Sequence, residues 1–523
     1  MSFPSKCRFG MYLEVYELQE PPRRNILDLS NPSGASLGDG EPSRFSLRAM
    51  RAQVGPSRVA LAGTARVPAV QKPVLERPSP QQAVGFPKNR RKALMSKKIP
   101  VISLFSGAMG LDLGLEKAGF RTVLAVECDA QAVETIRLNR PNLPVLHRKI
   151  EDLTVEEILK AARLKVGGDF VVSGGPSCQA FSTAGQRRSF NDPRGSLFAH
   201  YVRVVREAKP KFFVMENVKG LLSAAVKHRP LNRRGAGFSR LRPEEELGSA
   251  FRVVVETLKQ LGYHTIFDVL NSADFGVPQT RERLIFIGSR DGKPIRMPLP
   301  THAKEASEGR RSWVSVREAI GHLRERRPEG LPLYRLHKRY LKLIPPGGNW
   351  KDLPRALQHH ALGKAYRSWG GRSGFYRRLD WDKPSPALTT VPTSKATMLC
   401  HPTRLRPLSL KEYARIQQFP DRWRFGGTVT SQYRQIGNAV PVGLGAAIGK
   451  AVRTAWKARA NRRLLGEVKT HNADLVRRLS QAPRTVLNPP RMRRKVAQTP
   501  HWQGILRSTR DYAAVYGALA AAY

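Results

Sequence analysis

Val101 to Asn139 reads VISLFSGAMGLDLGLEKAGFRTVLAVECDAQAVETIRLN, and the alternation within it decides the fold class. VISLF is a short apolar run of strand type, LDLGLEKAG reads as a helix, VLAV at 123–126 as a second strand, and the Ala- and Glu-containing stretch from Asp129 to Asn139 as a second helix. This is βαβ grammar. Between the first strand and helix lies FSGAMG, Phe105 to Gly110, whose glycines permit a tight turn and close approach of a ligand to the backbone.

Outward from this unit the same grammar continues. FVVS at 170–173, FFVM at 212–215 and LIFIG at 284–288 read as further buried parallel strands. Leu197, Tyr201, Val204, Val205 and Ala208 recur at helical spacing and should face the sheet. After Arg290 the pattern turns to Pro, Gly, Trp and Arg, as in PPGGNW at 345–350 and WGGRSGFYRR at 369–378, which reads as a second, smaller domain. Helical pattern returns near Pro407 in LSLKEYARIQQF and again after Gly437. The expected organisation is an N-terminal extension over 1–98, a catalytic and cofactor-binding domain over 99–290, a smaller domain over 291–404, a segment over 405–456 that completes the first domain, and a basic tail over 457–523. Residues 1–98 are rich in Pro, Ser, Gly and Arg without a period of 2 or 3.6 and are expected to be disordered. MSKKIPVISLFSG at 95–107 runs directly into the first strand, so Met95 is a candidate natural start.

Composition narrows the partner. The 523 residues carry a formal net charge of +49, which suits a polyanion, because Lys and Arg that neutralise phosphates release condensed counterions. An arginine-rich composition also has the blander origin of genome base content. Four cysteines, Cys7, Cys128, Cys178 and Cys400, lack the paired spacing of a zinc site or a disulfide framework; no metal is expected. No run approaches the length of a membrane span and no signal-peptide pattern opens the chain, so a cytoplasmic, nucleoid-associated monomer is expected.

Two loops carry the chemistry. GGPSCQAF, Gly174 to Phe181, follows the strand DFVVS, which sets Cys178 at the C-terminal edge of the sheet, where ligands of such sheets bind. A lone cysteine is more often a small buried hydrophobe than a nucleophile. Here KFFVM delivers Glu216 and Asn217 at its own C-terminal end, so a thiol and a carboxyl group can converge on one pocket, and QTRER brings Arg281 and Arg283 to the same region. Glu127 ends the second strand where an acidic group would accept ribose hydroxyls, and Asp152 follows the next segment; each also reads as an ordinary loop carboxylate.

With these motifs in order, the chain resembles the bacterial DNA cytosine-5 methyltransferase family over about 99–450. FSGAMGLDLG resembles that family's cofactor loop, GGPSCQAFS its nucleophile loop, ENV at 216–218 its acidic motif, QTRERLIFIG its arginine motif, RLDWDKPSPALTT at 378–390 the scaffold of its recognition region, and RQIGNAVP at 434–441 its closing motif. The resemblance implies a Rossmann-like α/β methyltransferase sheet with a smaller target-recognition domain, S-adenosyl-L-methionine as cofactor, and double-stranded DNA as substrate. It implies a catalytic set of Cys178, Glu216, Arg281 and Arg283. It also implies a cofactor set of Phe105, Ser106, Gly107, Met109, Gly110, Glu127, Asp152, Pro176 and Asn438.

Carbon 5 of cytosine is a poor nucleophile until a thiolate adds at carbon 6. By the resemblance Cys178 supplies that thiolate, Glu216 the proton or hydrogen bond at ring nitrogen 3, and Arg283 a hold on the base carbonyl, with Arg281 supporting the loop or phosphates. A base inside a duplex is out of reach, so the target nucleotide must be flipped. STAGQRRSFNDPRG at 182–195 reads as a lid. Gln179, Gln186, Arg187, Arg188, Arg372 and Arg377 are candidate DNA contacts, with Trp350, Tyr376 and Arg378 as further candidates for base edges or phosphates.

The family usually has proline just before the nucleophile, where this chain has Ser177; that loosens the turn, although Pro176 still restrains the preceding step. A tRNA cytosine-5 methyltransferase and a silent DNA-binding regulator are the rival readings, and a cognate restriction endonuclease acting separately is a candidate partner.

Overall fold

The computed structural model describes residues 98–176, 197–227, 229–230, 233–234, 237–307, 309–367 and 374–477. Contacts divide the chain into Met1–Phe86 and Pro87–Tyr523, and every described residue lies in the second unit. The N-terminal extension, Cys178 with its loop and lid, Arg372 and the RMRRK tail lie outside the described residues.

The strands are β1 (Ile99–Leu104), β2 (Phe120–Val126), β3 (Val145–Leu146), β4 (Val171–Gly174), β5 (Phe212–Val218), β6 (His264–Asn271), β7 (Gln279–Thr280), β8 (Glu282–Ser289), β9 (His302–Ala303), β10 (Arg311–Ser312), β11 (Ser385–Pro386) and β12 (Val468–Lys469). The helices are α1 (Gly110–Lys117), α2 (Ala130–Asn139), α3 (Val155–Ala162), α4 (Leu197–Ala208), α5 (Ser249–Lys259), α6 (Val316–Ile320), α7 (Arg335–Leu341), α8 (Arg355–Leu362), α9 (Leu410–Ile416), α10 (Val429–Asn438) and α11 (Val442–Lys457).

Eight strands build one sheet in the order β12-β6-β8-β5-β4-β1-β2-β3. From β3 to β5 all neighbours are parallel. Their residues alternate between two buried faces, which is why the strands read as unbroken apolar runs. Ile102, Leu104, Leu124, Val172, Phe213 and Met215 join α3, α4 and α5 in one core. Val101, Phe120, Val171, Phe212 and Val214 join α1 and α11 in another. The expected inward residues of α4 are buried at Tyr201, Val204, Val205 and Ala208, with Leu197 packed against the same core. On the second face α1 and α11 meet backbone to backbone: a Cβ on Gly114 would lie 2.5 Å from the Gly445 Cα, so only glycine permits that approach.

Two expectations are corrected. LIFIG is not a parallel strand, because β8 runs antiparallel to both β5 and β6. Only ten residues separate Asn271 from Glu282, too few for the crossover that a parallel neighbour needs. The segment after 456 is also not all tail. Lys293 Nζ donates to the Trp456 carbonyl, β12 then pairs in parallel with β6, and Leu475 is buried in the core beneath α5.

The sheet order reverses direction of growth at β1, with β2 and β3 on one side and β4 and β5 on the other. A crevice opens at the carboxyl ends of such strands. A further core is contributed wholly by residues between Leu333 and Cys400, among them Tyr340, Leu341, Trp350, Leu362 and Tyr376. By contrast Val316, Ile320, Leu379 and Leu388 pack with α9 and α10.

Candidate active site

A cavity of about 530 Å³ occupies that crevice, lined from the ends of β1, β2, β4 and β5 and from α10. Its size is that of a small-molecule site. Phe105, Ser106, Gly107, Gly110, Glu127, Pro176, Glu216, Arg281, Arg283 and Asn438 all line it. They come from six separate places in the sequence, and the switch point brings them together.

On the β1 side, Phe105, Gly107 and Met109 all have positive φ, at 55°, 51° and 65°. Three left-handed residues within five make the turn abrupt and leave its backbone bare. A Cβ on Gly107 would meet no protein atom within 4 Å, so the space above this glycine is open for a ligand. Glu127 closes the turn from β2. Its Oε2 accepts the Gly107 N–H at 2.7 Å, and its Oε1 accepts the N–H groups of Cys128 and Asp129 at 2.9 Å each. Oε1 is thereby saturated, and Oε2 keeps a lone pair for a hydroxyl donor.

On the β5 side, Arg283 Nε stands 2.7 Å from Glu216 Oε1, with side chains 14% and 13% exposed. The angle does not make a hydrogen bond, and Arg283 Nε is left without one. The pair is therefore an electrostatic contact at the cavity wall. Gly175 backs Glu216 so closely that a Cβ there would sit 2.7 Å from Oε2. Asn217, buried behind it, donates Nδ2 to the Pro176 carbonyl at 3.4 Å, which ties the β4 loop to β5 just ahead of the cysteine.

Arg281 is a positioning residue. Buried to 2% exposure, it donates to the carbonyls of Leu388 at 3.0 Å and Gly437 at 2.7 Å, holding the scaffold segment and the end of α10 against the sheet. Burial, with Arg283 alongside, lowers its pKa to about 9, so it stays charged at neutral pH. Its partners are one loop carbonyl and one at the last turn of α10.

Some expected residues are elsewhere. Met109 is 1% exposed and packs with Leu113 and Ile136 in the core, away from the cavity lining. Asp152 lies on an exposed 3-10 turn outside the lining. Trp350, Tyr376 and Arg378 are 6%, 1% and 8% exposed. They are interior residues of the smaller core and do not present themselves to a base, and Arg378 spends its guanidinium on the carbonyls of Ile344 and Pro402. Arg377 is half-buried, and desolvation lowers its pKa.

Cys128 also lines the cavity. Burial and the neighbouring Glu127 push its thiol up to about 11, which leaves little thiolate at neutral pH. Cys178 lies outside the described residues.

The C-5 cytosine-specific DNA methylase family model matches residues 99–454. The chain belongs to that family. Among curated relatives it is similar to the Type II methyltransferase M.Sau96I of Staphylococcus aureus, with 38% identity over 369 residues covering 68% of this chain and 76% of that protein. The Type II methyltransferase M.PspPI of Psychrobacter sp. strain TA137 is 38% identical over 367 residues, covering 68% and 79%. M.Eco47II of Escherichia coli is 37% identical over 363 residues, covering 67% and 78%.

This C-5 cytosine DNA methylase has site residues that its motifs did not single out. Arg434 lines the cavity and donates to Asp129 Oδ2 at 2.7 Å, joining α10 to the cap of α2. Gln435 accepts the Thr135 hydroxyl at 2.6 Å and donates to the Gly426 carbonyl. Both stand inside RQIGNAVP, from which only Asn438 was chosen. Asp112, fully buried, accepts the Ser103 hydroxyl at 3.0 Å beside the same cavity, and burial raises its pKa to about 7; nothing in LDLG announced it. Among the described residues no helix is long and apolar enough to cross a membrane.

Proposed function

We propose that this DNA cytosine-5 methyltransferase transfers a methyl group to a flipped-out cytosine with Cys178 as nucleophile and Glu216 as the acid at ring nitrogen 3. The reading is carried by one observation: Glu216 and Arg283 share a cavity with the β4 loop that leads into Cys178 and with the bare turn at Gly107. S-adenosyl-L-methionine fits that turn, because the open space above Gly107 is where its methionine and ribose would lie, and Glu127 Oε2 keeps a lone pair for a ribose hydroxyl. When bound it supplies an electrophilic methyl on a sulfonium.

The residues divide the work as follows. Cys178 adds to carbon 6 and pushes negative charge into the ring. Glu216 delivers a proton to nitrogen 3, which neutralises that charge. Arg283 holds the base carbonyl and, by its contact with Glu216, keeps the carboxyl aimed at the ring. Asn217 fixes the Pro176 end of the nucleophile loop, which limits the freedom that Ser177 introduces. After transfer a base removes the carbon 5 proton and Cys178 leaves. Phe105, Ser106, Gly110 and Asn438 shape the cofactor side; Gln179, Gln186, Arg187, Arg188, Arg372 and Arg377 contact DNA. The smaller core belongs to the target-recognition domain. The names of the relatives favour a place in a restriction-modification system, with a separate endonuclease sharing the site, and a cytoplasmic, nucleoid-associated monomer.

The test offers the enzyme duplex DNA and tRNA side by side with labelled cofactor. Transfer into duplex DNA, abolished in Cys178→Ala while cofactor binding persists, is the expected result. Transfer into tRNA alone, or turnover retained by the variant, overturns the reading.

A further inference from the structure

The smaller core is strongly charged on its outside. Residues 331–367 hold eight Lys or Arg against one carboxylate, Asp352, and that carboxylate is engaged in capping Asn349 N–H. Four of the eight stand on α7 and its C-cap. Tyr340, Leu341 and Ile344 face the core, while Arg335, Lys338, Arg339 and Lys342 are exposed. Arg335 and Arg339, and Lys338 and Lys342, are each four apart, so all four form one stripe along the outer face. None of the four makes an ion pair among the described residues.

This arrangement works against the helix. Like charges four residues apart each cost about 0.2–0.5 kcal/mol, and Arg335 in the first turn opposes the helix dipole, although Lys338 and Arg339 in the last turn are favoured by it. A seven-residue helix has little stability of its own to spend. Tyr334 and Leu336, 69% and 53% exposed, flank the stripe and add apolar surface that water does not favour. A polyanion resolves the conflict, because phosphates spaced along a strand neutralise successive cations.

We infer that the outer face of α7 grips the phosphate backbone of duplex DNA through Arg335, Lys338, Arg339 and Lys342. The inference rests on the methyltransferase reading and deepens it by relocating the DNA contact of the smaller core. The aromatic and arginine side chains at 350, 376 and 378 are spent on packing, and the cations of α7 are left for the substrate. Phosphate contacts set position and carry no base information, so this face tightens binding without choosing the site.

The test compares wild type with Arg335→Gln/Lys338→Gln/Arg339→Gln/Lys342→Gln in binding to a duplex carrying the methylation site, over a range of salt. Each lost phosphate contact removes about 0.9 from the slope of log affinity against log salt. The slope should fall by about 3–4, and affinity near 0.1 M salt by roughly 10²–10³-fold. The melting temperature of the variant should stay level or rise, since repulsion has been removed; a structural role would lower it. An unchanged slope overturns the inference, as does a variant that loses tRNA binding but keeps duplex binding. A change in the preference for cognate over non-cognate duplex overturns the assignment to phosphates. Failure of the parent reading shows separately, as wild type that transfers no methyl group to the duplex.

Discussion

The cavity-bearing sheet and the smaller core between Leu333 and Cys400 use similar residues to opposite ends. In the sheet, apolar side chains fill both faces and the polar ones gather at strand ends: Glu127, Glu216, Arg281 and Arg283 all stand there. In the smaller core the large polar-edged residues, Trp350, Tyr340 and Tyr376, are themselves the interior, and the short helices turn cations outward. Position in the fold, and not residue type, separates chemistry from packing. Arg283 at a strand end meets Glu216 in the cavity, while Arg378 is consumed by carbonyls.

Four substitutions sharpen this contrast or break it. Glu216→Gln leaves the shape of the site and removes its proton, so kcat should fall by about 10²–10⁴-fold in single-turnover methyl transfer; a loss below tenfold would remove Glu216 from the chemistry. Trp350→Ala should cost about 3–5 kcal/mol of stability, measured by denaturant unfolding, because the indole is core; a stable variant with weakened DNA binding would return Trp350 to the interface. Gly175→Ala places a methyl against Glu216 and should lower kcat by about tenfold, roughly 1.4 kcal/mol, with little change in melting temperature.

Asp112→Asn has the smallest effect on turnover and a pH signature in stability. Burial raises the Asp112 carboxyl to about 7 from the ordinary 3.8, so between these values the folded chain holds a proton that the unfolded chain releases. Stability therefore falls as pH rises through that window. The variant should gain on wild type as pH rises from about 4 to about 7 and lose that gain below about pH 4; a gap that does not vary with pH would show that the carboxyl is not titrating in the fold.

Much of the sheet was legible in the sequence because strands buried on both faces leave unbroken apolar runs. β1, β2, β4 and β5 were found in that way, and the glycine turn at 105–110 between them. The direction of β8 was not legible, since a run of LIFIG has the same composition whichever way it points. β12 is two residues long and offers no period to detect. Asp129 and Arg434 are 305 residues apart, and no local spacing links them. The smaller core misled for a physical reason: Trp, Tyr and Arg serve equally as interface and as interior where strands and long helices are lacking. Cys178 lies outside the described residues, and its role is a proposal that chemistry can test directly.

The direct measurement is trapping on a duplex in which 5-fluorocytosine replaces the target base, followed by peptide mapping of the adduct. Fluorine at carbon 5 cannot leave as a proton does, so the enzyme should remain bonded to the base through the peptide that carries Cys178. An adduct on the Cys128 peptide, or methylation of ordinary duplex with no adduct on the fluorinated one, would contradict the account.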